Sequence, residues 1–202
     1  MPHLLHHPLA SHVLTHLRDR TTKPATFRTL SHQIGLMLAL EATKDLPTDV
    51  KTIETPLETM NGSVIGEQLV VVPILRAGLG MLQSYTDLFP KVSVGYIGLE
   101  RDTAIARSYY GKLPDVTGCR VICVDPMLAT GGSAVMAVDL IKKAGATDIR
   151  MVTIVSAPEG VETFESAHPD IPVITASIDR ELNDQSYIVP GLGEFGDRLF
   201  DT

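Results

Sequence analysis

Residues 120–133 read Arg-Val-Ile-Cys-Val-Asp-Pro-Met-Leu-Ala-Thr-Gly-Gly-Ser, and a helical pattern follows from 133 to 143. The apolar run 121–124 has the composition of a strand buried on both faces. What comes after it is a loop with chemistry. The pair Gly131 and Gly132 permits close backbone approach, Thr130 and Ser133 add hydroxyl donors, and the helix start offers unpaired N–H groups at a positive dipole end. Together Pro126, Met127, Leu128, Ala129, Thr130, Gly131, Gly132 and Ser133 form a cradle suited to a phosphate dianion. Asp125 would repel that phosphate. A carboxylate at a strand end can instead accept hydrogen bonds from two vicinal ribose hydroxyls, so acid first and phosphate nest second fit a sugar 5-phosphate. A plain strand-to-helix turn with a capping residue is the competing reading of Gly-Gly-Ser alone. An ATP loop is excluded, because no Lys follows the glycines.

Working outward, the same alternation recurs. Residues 69–74, 92–99, 149–155 and 173–176 read as strands, and 77–89, 133–143 and 160–168 as helices. Strands alternating with helices of this length predict an α/β fold, a Rossmann-like parallel sheet flanked by helices. Ligands in such sheets bind beyond the carboxyl ends of the strands. The segments just after Ile74, Leu99 and Val124 are therefore the places to search. Upstream, 11–19 and 26–44 are helical in pattern, and Asp45-Leu-Pro47 stops the second. Residues 50–55 alternate like a strand, and Asn61-Gly62 is a turn signal, so 50–69 is expected to contain a hairpin-like excursion. We read one domain over 1–202, with an N-terminal helical arm (1–47) and a β excursion (48–69) outside the sheet.

The chain has 202 residues, 44% hydrophobic and 20% charged, with a formal net charge of −7. That balance speaks against a nucleic-acid partner, which needs a basic surface. An anionic substrate must then be held by a few placed cations and by backbone N–H groups. Cys119 and Cys123 fall in one apolar run and read as buried thiols; a reducing, cytoplasmic setting fits. The N-terminus lacks a signal-peptide pattern, and no run reaches the roughly 18 apolar residues of a membrane helix. His3, His6, His7, His12 and His16 cluster at the start, with no Cys or spaced acid to complete a zinc site.

Residues 125–133 resemble the phosphoribosyl pyrophosphate signature of the type I phosphoribosyltransferases, in the uracil form that has Pro126 in place of a second acid. The resemblance to the uracil phosphoribosyltransferase family runs from His7 to Thr202. His7-Pro-Leu, Leu17-Arg-Asp, Phe27-Arg, Asp45-Leu-Pro-Thr and Ile53-Glu-Thr-Pro56 match its N-terminal blocks. Val72-Pro-Ile-Leu-Arg-Ala-Gly-Leu-Gly80 matches its pyrophosphate loop, and Ala157-Pro-Glu-Gly160 and Ser177-Ile-Asp179 match later blocks. Tyr187-Ile-Val-Pro-Gly-Leu-Gly193 and Gly196-Asp-Arg198 match its uracil loop.

The resemblance implies roles. Arg76 would meet the pyrophosphate, for which five fixed donors are suited, in a loop that in relatives can contain a non-proline cis peptide. Arg101 would contact phosphoribosyl pyrophosphate from a flap over 102–118, whose weak periodicity suggests a mobile cover. Ile188, Gly193, Glu194 and Phe195 would surround uracil, read through alternating backbone N–H and C=O groups; cytosine would leave two of them opposed. Glu194 stands where Asp is usual and would approach the ribose and the metal. Mg²⁺ would be carried mainly by substrate oxygens and water, with no dedicated protein ligand. UMP would be the product, GTP a further candidate ligand, and a homodimer or larger homo-oligomer the expected state. A non-catalytic uracil or UMP sensor and a pyrimidine-responsive RNA-binding regulator are the alternatives of the same fold.

Overall fold

The computed structural model describes residues 2–102 and 105–202, and side chains for 2–99 and 109–202. In chain order the elements are β1 (His3–Leu4), α1 (Pro8–Arg18), α2 (Pro24–Thr43), β2 (Thr48–Glu54), β3 (Thr59–Ile65), β4 (Leu69–Leu75), α3 (Leu79–Leu88), β5 (Ser93–Val94), β6 (Tyr96–Asp102) and β7 (Ile105–Lys112). There follow β8 (Arg120–Val124), β9 (Met127–Leu128), α4 (Gly132–Lys143), β10 (Asp148–Ser156), α5 (Pro158–Ala167), β11 (Val173–Ile178), β12 (Glu181–Leu182), β13 (Ile188–Val189) and α6 (Phe195–Phe200).

The sheet runs β1-β11-β10-β8-β4-β6-β7, parallel throughout except for the final antiparallel pair. Its central strands are apolar on both faces because both faces are covered. Leu69, Val71, Ile122 and Val124 point into a core shared with α1, α2, α3 and α6. Their chain neighbours Val70, Val72, Val121 and Cys123 point the other way, into a core with α4 and α5. Each fully buried aliphatic or aromatic side chain contributes about 1.5–3 kcal/mol, and α2 alone supplies Phe27, Ile34 and Leu38 at 0% exposure. Both thiols are free and buried.

Four details differ from the sequence reading. The segment before α1 does not lie outside the sheet: His3–Leu4 pairs with Ile174 and Thr175 at its edge. The predicted strand 92–99 is two pieces: β5 lies beside Val70 and Val71, and the chain then shifts along β4 so that β6 pairs Ile74 and Leu75. The excursion is a hairpin, but its turn is not Asn61-Gly62, which sits inside β3 opposite Thr52 and Lys51. The reversal is at 55–58, where the Thr55 hydroxyl oxygen accepts from the Leu57 and Glu58 N–H groups (3.2 and 3.0 Å) and Pro56 sets the backbone angle that such a turn needs. Finally, the segment expected to be an aperiodic flap is strand over Ile105–Lys112, antiparallel to β6. Tyr109 and Tyr110 are both exposed, and adjacent residues exposed alike give no period-2 pattern. Thr103 and Ala104 lie outside the described residues.

Candidate active site

At the carboxyl ends of β4, β6 and β8 lies a cavity of about 390 Å³. Its wall includes Arg76 and Ala77 after β4, Leu99 on β6, and Asp125, Met127, Ala129 and Ser133 after β8. Gln185, Ser186, Tyr187, Glu194 and Gly196 close it from the C-terminal side. Of the residues singled out in the sequence, Arg76, Asp125, Met127, Ala129, Ser133 and Glu194 thus share one wall. Pro126, Leu128, Thr130, Gly131, Gly132, Ile188, Gly193 and Phe195 are next to it in the chain but not in it. Arg101 is on β6, and its side chain is outside those described.

The loop after β8 is stitched to β10. The Asp125 N–H donates to Val152 O (3.1 Å), Pro126 O accepts from Ile154 and Val155 (3.0 Å each), and Leu128 O accepts from Ala157 (2.9 Å). Gly131 then caps α4 in the left-handed region, φ 85°. A Cβ there would be 2.8 Å from Gly160 O, so glycine is required both by the angle and by the approach of α5. The first amides of α4 are left facing the cavity end of the helix, as an anion needs. Beneath the loop, burial and the nearby Asp125 carboxylate push the Cys123 thiol pKa far up, which makes it an inert packing group.

Arg76 opens the loop after β4, and its peptide bond with Leu75 is cis. Gly78 lets this loop lie against β8, since a Cβ would be 2.6 Å from Val124 O. The Arg76 guanidinium is 3.9 Å from Asp197 and 5.6 Å from the centre of the Phe200 ring, and it is 59% exposed. Contacts this long and this wet are worth little, so the side chain can turn to an anion at small cost. Among the described wall residues Arg76 is the cation, set against Asp125 and Glu194.

The C-terminal side is built differently. β12 and β13 form a two-stranded ribbon whose tip is tied by Asn183, which accepts from the Gln185 and Tyr187 N–H groups (3.0 and 2.9 Å). The tip brings Gln185 and Ser186 into the wall. Sequence reasoning missed both, although Asn183-Asp184 is a turn former. Glu159, in a matched block that had no role, accepts from Leu182 N–H at 3.0 Å and ties the ribbon to α5. Glu194 caps α6, accepting from Gly196 N–H at 3.3 Å. The Phe195 ring is wholly buried and packs edge-on to Phe27 at 5.1 Å, which leaves its backbone as the part that can serve a ligand.

Three arginines pin this region from a distance. Arg198 donates to Leu192 O (2.5 Å), Asp19 O (2.6 Å) and Leu17 O while lying over the Phe27 ring at 4.4 Å. Arg28 donates to Leu199 O (2.9 Å). Arg18 makes a two-pronged pair with Asp179 (2.7 and 2.5 Å) and donates to Gly191 O (2.6 Å). Burial alone would raise the Asp179 pKa; hydrogen bonds from Arg18, Ser177 and Gly191, with the Arg18 charge, outweigh it and hold the carboxyl below its ordinary range.

The described residues contain no group of three His, Cys, Asp or Glu side chains fit to hold a metal ion. Nor, among them, is any helix long and apolar enough to cross a membrane.

Known proteins resemble this chain over nearly its whole length. The sequence model of the family described as uracil phosphoribosyltransferase matches residues 4–202. The uracil phosphoribosyltransferase of Rhodospirillum centenum is 52% identical over 204 residues, covering 98% of this chain and 94% of its own. That of Dictyoglomus thermophilum is 50% identical over 200 residues, covering 97% of each. The solved structure of the AQ2163 protein from Aquifex aeolicus superposes with a TM-score of 0.95 at 35% identity, covering 99% of this chain and 98% of that one.

Proposed function

Since the chain belongs to the uracil phosphoribosyltransferase family, we propose that the cavity holds phosphoribosyl pyrophosphate and uracil in adjoining subsites, with Arg76, Asp125 and Glu194 handling the sugar and its pyrophosphate. The fold is that of the type I phosphoribosyltransferases, and the reaction is a pentosyl transfer. The bond from ribose C1 to a pyrophosphate oxygen breaks, a bond from C1 to uracil N1 forms, N1 gives up its proton, and UMP and diphosphate leave. The observation that carries the reading is the meeting of Asp125, the phosphate loop and Glu194 in one cavity of a chain matched over 4–202.

Each part has a task in this reading. The amides of 129–133 take the 5-phosphate, and Asp125 accepts from the ribose hydroxyls. Arg76 and the backbone after β4 take the pyrophosphate as its negative charge grows. The loop around Ile188, Gly193, Glu194 and Phe195 offers backbone groups to the uracil edge, while β6 and β7, with Arg101, cover the reaction and exclude water. No side chain is needed as nucleophile; positioning and electrostatics supply the rate. Two carboxylates in the wall fit a Mg²⁺ ion that would take most of its ligands from substrate oxygens and water. Asp125 and Glu194 would be the wall carboxylates to hold it, and the ion would neutralise pyrophosphate charge.

Val50, Leu57, Met60, Val64 and Ile65 on the β2–β3 hairpin are exposed, and covering them favours a homodimer or larger homo-oligomer; a monomeric mass in light scattering at micromolar concentration would refute this. Two free thiols suit the cytoplasm. GTP as a further ligand rests on resemblance alone. A regulator that binds RNA would need a basic face, which a net charge of −7 opposes.

The test is UMP formation from uracil and phosphoribosyl pyrophosphate with Mg²⁺, repeated with and without GTP. Uracil is expected to be used in strong preference to cytosine, orotate and purines. Comparable turnover of cytosine would remove the backbone loop from base recognition.

A further inference from the structure

We propose that Arg18 and Asp179 are positioning residues for base recognition: by gripping both backbone groups of Gly191, this ion pair fixes the loop that faces uracil. The inference rests on the reading of residues 187–197 as the base subsite.

Gly191 is held at both ends of its peptide chemistry. Its N–H donates to Asp179 Oδ2 at 2.8 Å, and its carbonyl accepts from Arg18 Nη1 at 2.6 Å. The two holders are joined to each other by the two-pronged pair at 2.7 and 2.5 Å. Ser177 closes the ring, donating to Asp179 Oδ1 at 2.8 Å and accepting from Arg18 Nη2 at 3.1 Å. The Asp179 side chain is 2% exposed and that of Arg18 23%, so water competes weakly for either. A planar guanidinium presents its donors in a fixed fork, which means that the pair transmits an orientation as well as an attraction.

The grip matters because Gly191 governs its neighbours. At φ 59° the chain folds back so tightly that a Cβ on Gly191 would be 2.2 Å from Ile188 O. Ile188 and Gly193, the positions expected around the base, flank this fold. Backbone recognition of a flat heterocycle is sensitive to small shifts of N–H and C=O groups. A loop free to relax would therefore lose base affinity before it lost its hold on the 5-phosphate and ribose hydroxyls, which are assigned to Asp125 and residues 129–133, whereas the side-chain bonds of Arg18 and Asp179 go to each other, Ser177 and Gly191. The assignment also gives a role to Leu17-Arg-Asp and Ser177-Ile-Asp179, two matched blocks that the reaction itself leaves unexplained.

The experiment is steady-state kinetics of Arg18→Ala, Arg18→Lys and Gly193→Ala, with each substrate varied and thermal unfolding recorded. Displacement on the ångström scale predicts a uracil KM raised about 10- to 100-fold in Arg18→Ala, with the phosphoribosyl pyrophosphate KM changed by less than about twofold. Arg18→Lys, which keeps the charge but loses the fork, is expected in between. Millimolar ethylguanidinium should lower the uracil KM of Arg18→Ala and leave Arg18→Lys unmoved. A purely structural role would lower the unfolding temperature and the active fraction while leaving both KM values alone, and that result overturns the proposal. Should Arg18→Ala fail to fold, the same KM comparison on Arg18→Lys decides. If Gly193→Ala raises the uracil KM and the Arg18 variants do not, the positioning claim alone is lost. If none of the three changes it, the assignment of the base subsite is lost as well.

Discussion

Residues 125–133 are braced by neighbours close in the chain, through bonds to Val152, Ile154, Val155 and Ala157 and the contact of Gly131 with Gly160. Residues 187–198 face the same cavity, yet their braces come from the other end of the chain: Arg18 to Gly191, Arg198 to Leu17 and Asp19, Arg28 to Leu199. The first region is a unit that one contiguous stretch, β8 through α5, can build. The second exists only once α1 and α2 have docked. In the proposed reading, sugar-phosphate binding and base binding therefore draw on largely separate parts of the structure, with Glu194 common to both, and damage to one should leave the other measurable.

The largest effect is expected on the locally built side. Asp125→Asn replaces a charged acceptor by a neutral amide, and hydrogen bonds to charged groups are worth about 1.5–3 kcal/mol, so kcat/KM should fall by about 10- to 100-fold. The loop's bonds to β10 and Ala157 are made between backbone groups and persist in the variant, so the unfolding temperature should stay near wild type. Wild-type kcat/KM in this variant would take Asp125 out of the site.

Glu194 stands between the regions, in the cavity wall and at the cap of α6. Glu194→Asp keeps both a carboxylate and a good capping side chain, and is expected to cost less than about threefold in rate. Glu194→Ala removes both; the lost cap alone costs about 0.5–2 kcal/mol, and the phosphoribosyl pyrophosphate KM or kcat should suffer more than the uracil KM. Equal activity in all three proteins would reduce Glu194 to a surface acid.

The smallest effect concerns pH. The Asp179 carboxyl is held below its ordinary range. Its contribution is thus fully present above the unfolded pKa, near 4, and is lost only as pH falls through the lower folded value. A uracil KM profile should show no break from this pair between about pH 5 and pH 8. A break within that window, abolished in the Arg18 variants, would show that the pair titrates where it should not.

The contrast explains what could be read beforehand. Strand 121–124, Asp125 and the Thr130 to Ser133 turn lie together in sequence, and their chemistry follows from spacing. The alternation of apolar strands with helices was equally legible, because burial on both faces leaves a continuous apolar run. The base side was legible only as resemblance. Nothing local in Leu17-Arg-Asp says that its arginine meets Gly191, and nothing local to Phe195 says that its ring packs against Phe27. The Asn61-Gly62 signal misled because Thr55-Pro56 makes the better turn and the Thr52 hydroxyl bonds the Asn61 side chain across the hairpin at 2.9 Å.

β11 runs Val-Ile-Thr-Ala-Ser-Ile, an uncharged, β-prone hexapeptide of the kind that stacks into fibrils when its edge is bare. His3 and Leu4 occupy that edge, and Leu5 N–H adds a bond to Thr175 O at 2.8 Å. A strand two residues long offers almost nothing for a further strand to pair with, so it ends the sheet where a longer one would extend it. The first residues thus cover the edge of β11. A protein cut before Leu5 would keep every residue of the cavity wall and fail by sticking to its own copies.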